Sequence, residues 1–334
     1  MTALPSPDLE QLADRLIALI RTKPNEYYSW DKLAAKLACD DPTLRRAVEL
    51  AAAWDYKLKV RKTLGVSFVA APDALISAEI LHTLRAKRLG RTLHTFQTVQ
   101  STNDLAGQYA DSGAPEGTIV TAEQQTKGRG RLGRIWFSPT GTGIYLSVIL
   151  RPDLPPPGAP GLSVMTALAL AETLTAYEPG LVQIKWPNDV LINGRKTAGI
   201  LTELSAERRK VNHVIIGVGI NVNQQPGMFP PEIRPHATSL RRELRRKIDR
   251  PALLRAFLYQ LEREYDLYLK ARLKKSRPRL RRYSSLIDRQ ITIQSGQTRT
   301  SGLVTDIDLD GRLVLQTASG VETIVAGEVT VVKE

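Results

Sequence analysis

The chain has 334 residues, of which 42% are hydrophobic, and this is enough for two or three domains with apolar cores. Its single cysteine, Cys39, excludes an internal disulfide bond and favours a cytoplasmic location. The N-terminal residues lack the basic and then apolar pattern of a secretory signal, and no uncharged apolar run approaches the roughly 20 residues of a membrane span, so no membrane partner is expected.

The formal net charge of +13 is concentrated in one segment. Residues 241–289 hold 17 lysines and arginines against 6 acidic residues, a net charge of +11, whereas residues 1–85 hold 12 against 11. A basic excess of this kind is typical both of a solvated helical face and of a binding site for polyanions. The sequence leaves these two interpretations open.

Residues 1–75 are predicted to form a winged helix-turn-helix domain, because three segments of helical periodicity precede two β-like runs. The third helix would be the recognition helix, with Thr43, Arg45 and Arg46 as candidate DNA-binding residues. Side chains that could contact bases or phosphates are few in this helix, and the domain is nearly neutral. The sequence therefore leaves open whether the domain binds operator DNA or serves for packing or dimerisation. The helices are expected at 9–22, at 30–38 after Ser29 as a cap, and at 43–54, and the strands at 56–62 and 65–71.

Residues 76–282 are predicted to form a central domain, which starts with a connecting helix over 76–92 that ends at Gly90. Strands outnumber helices beyond it and hairpins are present, so the sheet is expected to be mixed and not wholly parallel. Strands are predicted in 92–99, 117–125, 143–152, 182–204 and 213–223, and helices in 101–113, 162–177 and the basic stretch 250–282.

Residues 283–334 are predicted to form a small β barrel, because apolar and polar residues alternate with a period of two. Turns are expected at Ser295-Gly296, Asp310-Gly311 and Ser319-Gly320. The fold class is therefore α/β (α+β), with an N-terminal winged helix, a central mixed-sheet domain and a C-terminal β barrel.

The dipeptide Asn193-Gly194 predicts a type I′ hairpin, which pairs Leu191 with Lys196. A cation and a carboxylate would then share one face of this ribbon beside Gly199, where a ligand can come close. The residues expected on that face are Asp189, Leu191, Lys196 and Ala198. A solvated surface lysine is the alternative interpretation.

Residues 127–138, KGRGRLGRIWFS, combine bare backbone amides at glycines with the forked donors of arginines, and this favours a cradle for phosphate or carboxylate. The alternative is a flexible strap for nucleic acid. Because Ile135, Trp136 and Phe137 are expected to anchor one end by apolar packing and a strand anchors the other, we interpret the loop as a lid.

Four motifs occur in a fixed order: STN (101–103), EQQTKGRGRLGRIWFSP (123–139), KWPNDVLINGRKTAGILTE (185–203) and GVGINVN (217–223). Together they closely resemble the biotin protein ligase family, and AGEV (326–329) in the C-terminal segment is similar as well. The resemblance implies an SH3-like barrel at the C-terminus. It also relates the N-terminal domain to that of bifunctional members, which double as biotin operon repressors.

The resemblance implies that biotin attacks the α-phosphate of ATP with Mg²⁺, giving biotinyl-5′-AMP. The biotinyl group then passes to a lysine of the biotin carboxyl carrier domain of acetyl-CoA carboxylase. Operator DNA and a second copy, in a homodimer, are the other partners implied. Two alternatives stay open: a protein that is primarily a DNA-binding regulator, and a lipoate ligase of the same superfamily, although the loop followed by Trp136 favours biotin.

The resemblance assigns catalytic roles to Lys196, Arg131 and Asp189. Lys196 would touch the reacting carboxylate and phosphate, and Asp189 would orient the acceptor amine or hold a metal, a choice that the sequence leaves open. Binding of biotin or the adenylate is assigned to Ser101, Thr102, Asn103, Gln125, Gly128, Arg129, Gly130, Arg131, Trp136, Lys185, Asn188, Lys196, Gly199, Gly219 and Asn221.

Overall fold

The computed structural model describes residues 7–207, 210–295, 297–325 and 327–331. The chain divides into two compact units at the junction between Ala74 and Leu75. No helix within these described ranges is both long enough and apolar enough to cross a lipid bilayer.

The N-terminal unit consists of three helices followed by an antiparallel hairpin, which is the predicted order of a winged helix. The Asp40 side chain accepts a hydrogen bond from Thr43 N at 2.8 Å and so caps the third helix. The second helix ends at Ala38, which adopts a left-handed conformation with φ of 54°. The elements are α1 (Pro7–Ile20), α2 (Trp30–Leu37), α3 (Asp41–Ala53), β1 (Lys57–Arg61) and β2 (Gly65–Ala70).

The second unit is built on a seven-stranded mixed sheet, as predicted. Its strands are β3 (Leu93–Val99), β4 (Ile119–Gln125), β5 (Gly143–Leu150), β6 (Val182–Lys185), β7 (Asp189–Ile192), β8 (Arg195–Glu207) and β9 (Lys210–Asn221). They lie in the order β3-β4-β5-β9-β8-β7-β6, in which β3 and β4 are parallel and the remaining neighbours are antiparallel. The four sequence motifs fall on adjacent parts of this sheet and its connections.

Within the described part of this unit, six α-helices accompany the sheet: α4 (Ser77–Leu81), α5 (Thr102–Asp111), α6 (Pro160–Thr175), α7 (Leu240–Leu244), α8 (Arg250–Ala271) and α9 (Arg277–Tyr283). Almost every residue of α6 is buried, because α6 packs against both the sheet and α8. This explains why its sequence is apolar on all faces and lacks the amphipathic pattern of a surface helix.

The predicted connecting helix over 76–92 is wrong. The helix ends at Leu81, and Thr83 takes a left-handed conformation with φ of 58°. The backbone N–H groups of residues 87–89 donate instead to the carboxylate of Glu262 on α8, at 2.7, 2.6 and 2.9 Å. Three charge-assisted hydrogen bonds from backbone N–H groups to one carboxylate thus replace the intrahelical bonds that this segment would otherwise form.

The C-terminal segment forms a five-stranded antiparallel sheet, and its predicted turn at Asp310-Gly311 is confirmed. The turn predicted at Ser319-Gly320 lies one residue earlier, at Ala318-Ser319, because Gly320 already pairs with Thr317. Gly296 of the first predicted turn and Ala326 of the AGEV motif lie outside the described residues. The strands are β10 (Gln290–Ser295), β11 (Thr298–Ile307), β12 (Leu313–Thr317), β13 (Gly320–Ile324) and β14 (Glu328–Val331), in the order β13-β12-β11-β10-β14. Apolar residues of this sheet join the core of the central sheet and of α6 and α8.

Candidate active site

A cavity of about 510 Å³ opens where α5 begins, beside the β7–β8 hairpin. It is lined by every substrate-binding residue predicted from the sequence except Gly128. A Cβ atom at Gly128 would lie 2.6 Å from the carbonyl oxygen of Trp136, so this glycine permits a close backbone approach beneath the loop. The structure therefore brings together four motifs that are spread over residues 101–223 of the chain.

One end of the cavity is a buried polar cluster at the start of α5. The Ser101 side chain caps this helix, and Thr102 N donates to Gln125 Oε1 at 2.9 Å. Ser147 Oγ lies 2.8 Å from Thr102 Oγ1 and 2.6 Å from Asn103 Oδ1. Because buried polar groups are costly unless they are paired, this cluster is rigid, and it offers oriented donors and acceptors to a neutral polar ligand.

The same cluster depends on residues that the sequence motifs did not single out. Asn103 Nδ2 donates to Glu203 Oε2 at 2.6 Å. A Cβ atom at Gly217 would lie 2.1 Å from Asn103 Oδ1, so a glycine is needed at this position of β9. Glu203 and Gly217 lie within two of the motifs, but their role in this cluster, like that of Ser147, was missed because it depends on contacts with residues 44 or more positions away along the chain.

The β7–β8 hairpin pairs Leu191 with Lys196 as predicted, but a bulge follows between Leu191 and Val190. Val190 therefore pairs with Ala198, and both are fully buried on the opposite face, so the predicted position of Ala198 is wrong. A bulge inserts one extra residue into a strand and reverses the facing of all residues beyond it. Here the extra residue lies on β8, between Lys196 and Ala198.

Lys196 and Asp189 nevertheless face the same cavity. Lys196 Nζ lies 2.8 Å from Asp189 Oδ1, an ion pair whose atoms are not aligned as a hydrogen bond. The ammonium group also lies 5.3 Å from the centre of the Trp136 ring, within the range of a cation–π contact. One fixed cation thus stands beside a carboxylate and an aromatic surface.

The Trp136 ring packs directly on two glycines of the sheet. A Cβ atom at Gly219 would lie 2.2 Å from Trp136 Nε1, and one at Gly199 would lie 3.0 Å from Trp136 Cζ3. The indole N–H is buried and has no hydrogen-bond partner among the described residues. Ile135 does not share this packing and is 86% exposed, so its predicted role as an anchor is wrong, because alternation in the extended chain turns it away from the sheet.

The loop arginines are held by side chains around the cavity. Arg129 pairs with Asp104 at 2.5 Å and with Glu203 at 2.9 Å. Arg131 donates from Nη1 to Asn188 Oδ1 at 3.0 Å. The loop therefore lies across the cavity and is attached to α5, β8 and the segment before β7.

Two further segments complete the cavity wall, and the sequence motifs did not predict either. Phe229, Glu232, Ile233 and His236 contribute from the irregular segment after β9, and Gly327 and Val329 contribute from the C-terminal sheet. The backbone of the irregular segment is tied to β8, because Lys196 N donates to the carbonyl oxygen of His236 at 2.7 Å. No periodicity marks such a segment, so only the three-dimensional arrangement identifies it.

Comparison with known proteins places these motifs in one family. Residues 95–221 match the model of the biotin/lipoate A/B protein ligase family, and residues 286–332 match that of the biotin protein ligase C-terminal domain. The chain is 35% identical to the bifunctional ligase/repressor BirA of Bacillus subtilis over 314 residues, which cover 94% of this chain and 97% of that protein. The chain belongs to the biotin protein ligase family.

Two other members of the biotin protein ligase family extend this comparison. The biotin–[acetyl-CoA-carboxylase] ligase of Mycobacterium tuberculosis is 34% identical over 242 residues, which cover 70% of this chain and 86% of that protein. The biotin protein ligase of Aquifex aeolicus, solved in complex with biotin and ATP, superposes with a TM-score of 0.63 at 27% identity, covering 73% of this chain and all of that one. The match to BirA covers more of this chain than either of these two matches does, and it therefore extends into the N-terminal unit of this chain.

The predicted DNA-binding residues of the N-terminal unit lie on the surface of α3 and its first turn. Arg45 stacks over the Trp30 ring at 4.1 Å and pairs with Asp41 at 2.8 Å. Arg46 is exposed, and Thr43 is half-buried. Both arginines are exposed to solvent, and Arg45 is in addition engaged with neighbouring side chains.

Proposed function

We propose that this chain is an ATP-dependent biotin ligase, which forms biotinyl-5′-AMP and transfers the biotinyl group to a lysine of a biotin carboxyl carrier domain. The observation that carries the proposal is the Lys196–Asp189 pair, which faces a cavity lined by all four motifs of the family. A cavity of about 510 Å³ falls within the usual range for small-ligand sites, roughly 300–1,000 Å³.

The polar cluster at the start of α5 is the proposed site for the ring system of biotin, whose urea group needs both donors and acceptors. The buried Ser101, Thr102 and Asn103 and the half-buried Gln125 provide them from side chains that are already hydrogen-bonded within the protein. Because these side chains are already ordered, they lose little entropy when the ligand binds. The carboxylate tail of biotin would then extend toward Trp136 and Lys196.

Adenylation brings two anions together, since a carboxylate oxygen of biotin must approach the α-phosphorus of ATP. As the new P–O bond forms, the bond to the β-phosphate oxygen breaks and pyrophosphate leaves with its electron pair. Lys196, Lys185 and Arg131 line the cavity and offset the accumulated negative charge. Asp189 keeps the Lys196 ammonium positioned, so we assign Lys196 an electrostatic role and not that of a covalent nucleophile.

Magnesium fits this site as a companion of ATP. Within the described ranges, no group of three or more His, Cys, Asp or Glu side chains is arranged to hold a metal ion. Mg²⁺ is usually held by one or two carboxylates together with substrate phosphates, and Asp189 presents a carboxylate to the cavity. When bound, the ion would neutralise phosphate charge, and Asp189 is the residue that we expect to contact it.

Transfer requires the ε-amine of the acceptor lysine to attack the acyl carbon of the adenylate, with AMP as the leaving group and loss of one proton from the amine. The mixed anhydride is sensitive to water, and the loop over the cavity would exclude water until the acceptor arrives. The Arg131–Asn188 hydrogen bond fastens this loop to the cavity wall. We therefore assign Arg131 to retention of the adenylate.

Exchange of labelled pyrophosphate into ATP, dependent on biotin, tests the proposal directly. Lys196→Ala is expected to reduce this exchange by about 100-fold or more, because removal of one preorganised charge at a reacting group costs roughly 3–4 kcal/mol. Lys127→Ala is the matched control, since Lys127 is an exposed cation of the same loop that does not line the cavity. Near-normal exchange by Lys196→Ala, or transfer of lipoate in preference to biotin, would contradict the assignment.

A second function, biotin-dependent repression of transcription, is favoured by the winged helix of the N-terminal unit. Arg46 is exposed on α3 and is the proposed phosphate contact. A mobility-shift assay with a biotin-operon operator, with and without biotin and ATP, tests it, and Arg46→Ala is expected to weaken any shift. Light scattering under the same conditions tests the homodimer. Absence of a ligand-dependent shift would leave this unit with a structural role.

A further inference from the structure

The basic segment over 241–289 separates into arginines that bind carboxylates and arginines that do not. Arg250 is buried against Glu123, with 2.6 Å between Nη1 and Oε2. Arg279 pairs with Glu264 at 2.7 Å, and α9 makes further ion pairs with β11. These paired arginines hold the sheets and helices together and are not available to another anion.

Three other arginines of the segment converge on a second, smaller cavity of about 190 Å³. It is lined by Gln224, Gln225, Pro226, Arg241, Arg242 and Arg245. Among the described residues, no carboxylate lies within ion-pair distance of Arg241, Arg242 or Arg245. Three like charges around one concavity repel one another unless an anion lies between them.

The acidic residues nearest in sequence are committed elsewhere. The Glu243 carboxylate accepts hydrogen bonds from Arg195 and from Asn193, both at 2.7 Å, and its side chain is only 7% exposed. Asp249 caps α8 by accepting a hydrogen bond from Ala252 N at 2.8 Å. The charge of the three arginines is therefore not neutralised from within their own segment.

The walls of this cavity are fixed to each other by hydrogen bonds. Arg241 N donates to the carbonyl oxygen of Val222 at 2.8 Å, and Ser239 Oγ donates to that of Gln224 at 2.6 Å. Gln224 is fully buried, and its Oε1 has no partner among the described residues. Its Nε2 lies 3.5 Å from Asn221 Oδ1, and Asn221 lines the active-site cavity. Gln224 thus lines the small cavity and contacts a residue of the active-site cavity.

We propose that Arg241, Arg242 and Arg245 form a binding site for a small multivalent oxyanion of the phosphate class, distinct from the active site. The planar forks of arginine match the geometry of phosphate oxygens and bind them bidentately. A volume of about 190 Å³ is below that of most nucleotide-sized sites, so it suits one or two phosphoryl groups. The concave shape favours such an ion over the broader acidic surface of a protein. This site stands independently of the ligase reaction.

Isothermal titration calorimetry of the full chain with inorganic phosphate and, separately, with pyrophosphate tests the proposal. The comparison shows whether the site prefers one phosphoryl group or two. Arg241→Ala and Arg242→Ala are each expected to weaken binding at least about tenfold, because each removes charge-assisted hydrogen bonds to the anion. Arg246→Ala is the matched control, since Arg246 is an exposed arginine of the same segment outside the cavity lining. It should retain binding within about twofold.

Lys196→Ala separates this site from the active site and is also expected to retain binding. The proposal is overturned if neither anion binds the wild-type chain, if Arg246→Ala weakens binding as much as Arg242→Ala, or if only Lys196→Ala does so. Tighter binding of an acidic peptide, oligoglutamate, than of either anion would also overturn it, because that result indicates a protein docking surface. Circular dichroism of each variant confirms that the fold is retained.

Discussion

Replacement of Gly219 by alanine should disturb the active site through Trp136. A Cβ atom at this position would lie 2.2 Å from Nε1 and 2.4 Å from Cε2 of the indole ring. Because nonbonded atoms prefer separations of about 3.5–4.0 Å, the ring must move by more than about 1 Å. The backbone cannot yield instead, since Gly219 lies in β9 between Tyr145 of β5 and Gly199 of β8.

The two consequences of Gly219→Ala should differ in size. Overpacking of a well-packed site costs about 1–3 kcal/mol of unfolding free energy, and we expect a value near 1 kcal/mol because Trp136 is half-exposed on a loop and can rotate outward. Substrate binding should suffer more, because the displaced ring no longer forms the wall between Gly199 and Lys196. We expect KM for biotin in pyrophosphate exchange to rise at least about tenfold, equivalent to 1.4 kcal/mol.

Gly107→Ala on α5 is the matched control, because no atom lies within 4 Å of a Cβ atom there. In a helix interior, alanine is more stable than glycine by about 0.5–1 kcal/mol, so this variant should unfold at a slightly higher urea concentration and keep its KM. If Gly219→Ala showed the KM and urea midpoint of the wild type, Trp136 would not pack on Gly219, and the assignment of Trp136 to the wall of the site would be wrong.

Three further changes test other parts of the structure. Arg131→Ala should leave the urea midpoint unchanged but release labelled biotinyl-AMP faster in a filter-retention assay, and unaltered retention would contradict a lid. Arg250→Ala should lower the unfolding free energy by about 3–5 kcal/mol in urea, because the buried Glu123 loses its cation, whereas Arg246→Ala should stay within about 0.5 kcal/mol. Burial raises the pKa of Glu262, but the N–H donors of residues 87–89 outweigh this and hold the pKa below its usual range. The contribution of ionised Glu262 to the stability of the fold is therefore complete above the ordinary glutamate pKa of about 4.3, and it is lost as the pH falls through the lower pKa of the folded state. Glu262→Gln should consequently flatten the pH dependence of the urea midpoint below about pH 4.3.

Local chemistry was sufficient to predict the features that depend on few residues. Asn193 and Gly194 both take positive φ values, 51° and 74°, as the predicted hairpin turn requires. That turn fixed the pairing of Leu191 with Lys196, and with it the cation of the site. The face of the ribbon on which Ala198 lies could not be predicted, because the composition of this strand does not indicate the bulge.

Features decided by distant partners were not predictable in this way. The segment over 76–92 has helical periodicity, and the carboxylate of Glu262, more than 170 residues away, overrides it. Glu203 is the last residue of a motif, yet nothing in its local sequence indicates that it binds both Asn103 and Arg129. In each case the sequence shows only the local conformational preference. A polar contact with a distant residue stabilises the observed arrangement by more than that preference does.

The C-terminal sheet cannot be treated as an exchangeable cassette. Trp186 beside the active site donates its indole N–H to the carbonyl oxygen of Gly311 at 2.8 Å, and a Cβ atom at Gly311 would lie 2.7 Å from Cα of Gly161 on α6. Val329 forms part of the wall of the catalytic cavity. A chain shortened before residue 286 would expose a shared apolar core and open the cavity to solvent, so neither a minimal ligase nor a chimera with a foreign C-terminal sheet can be made by cutting at this boundary.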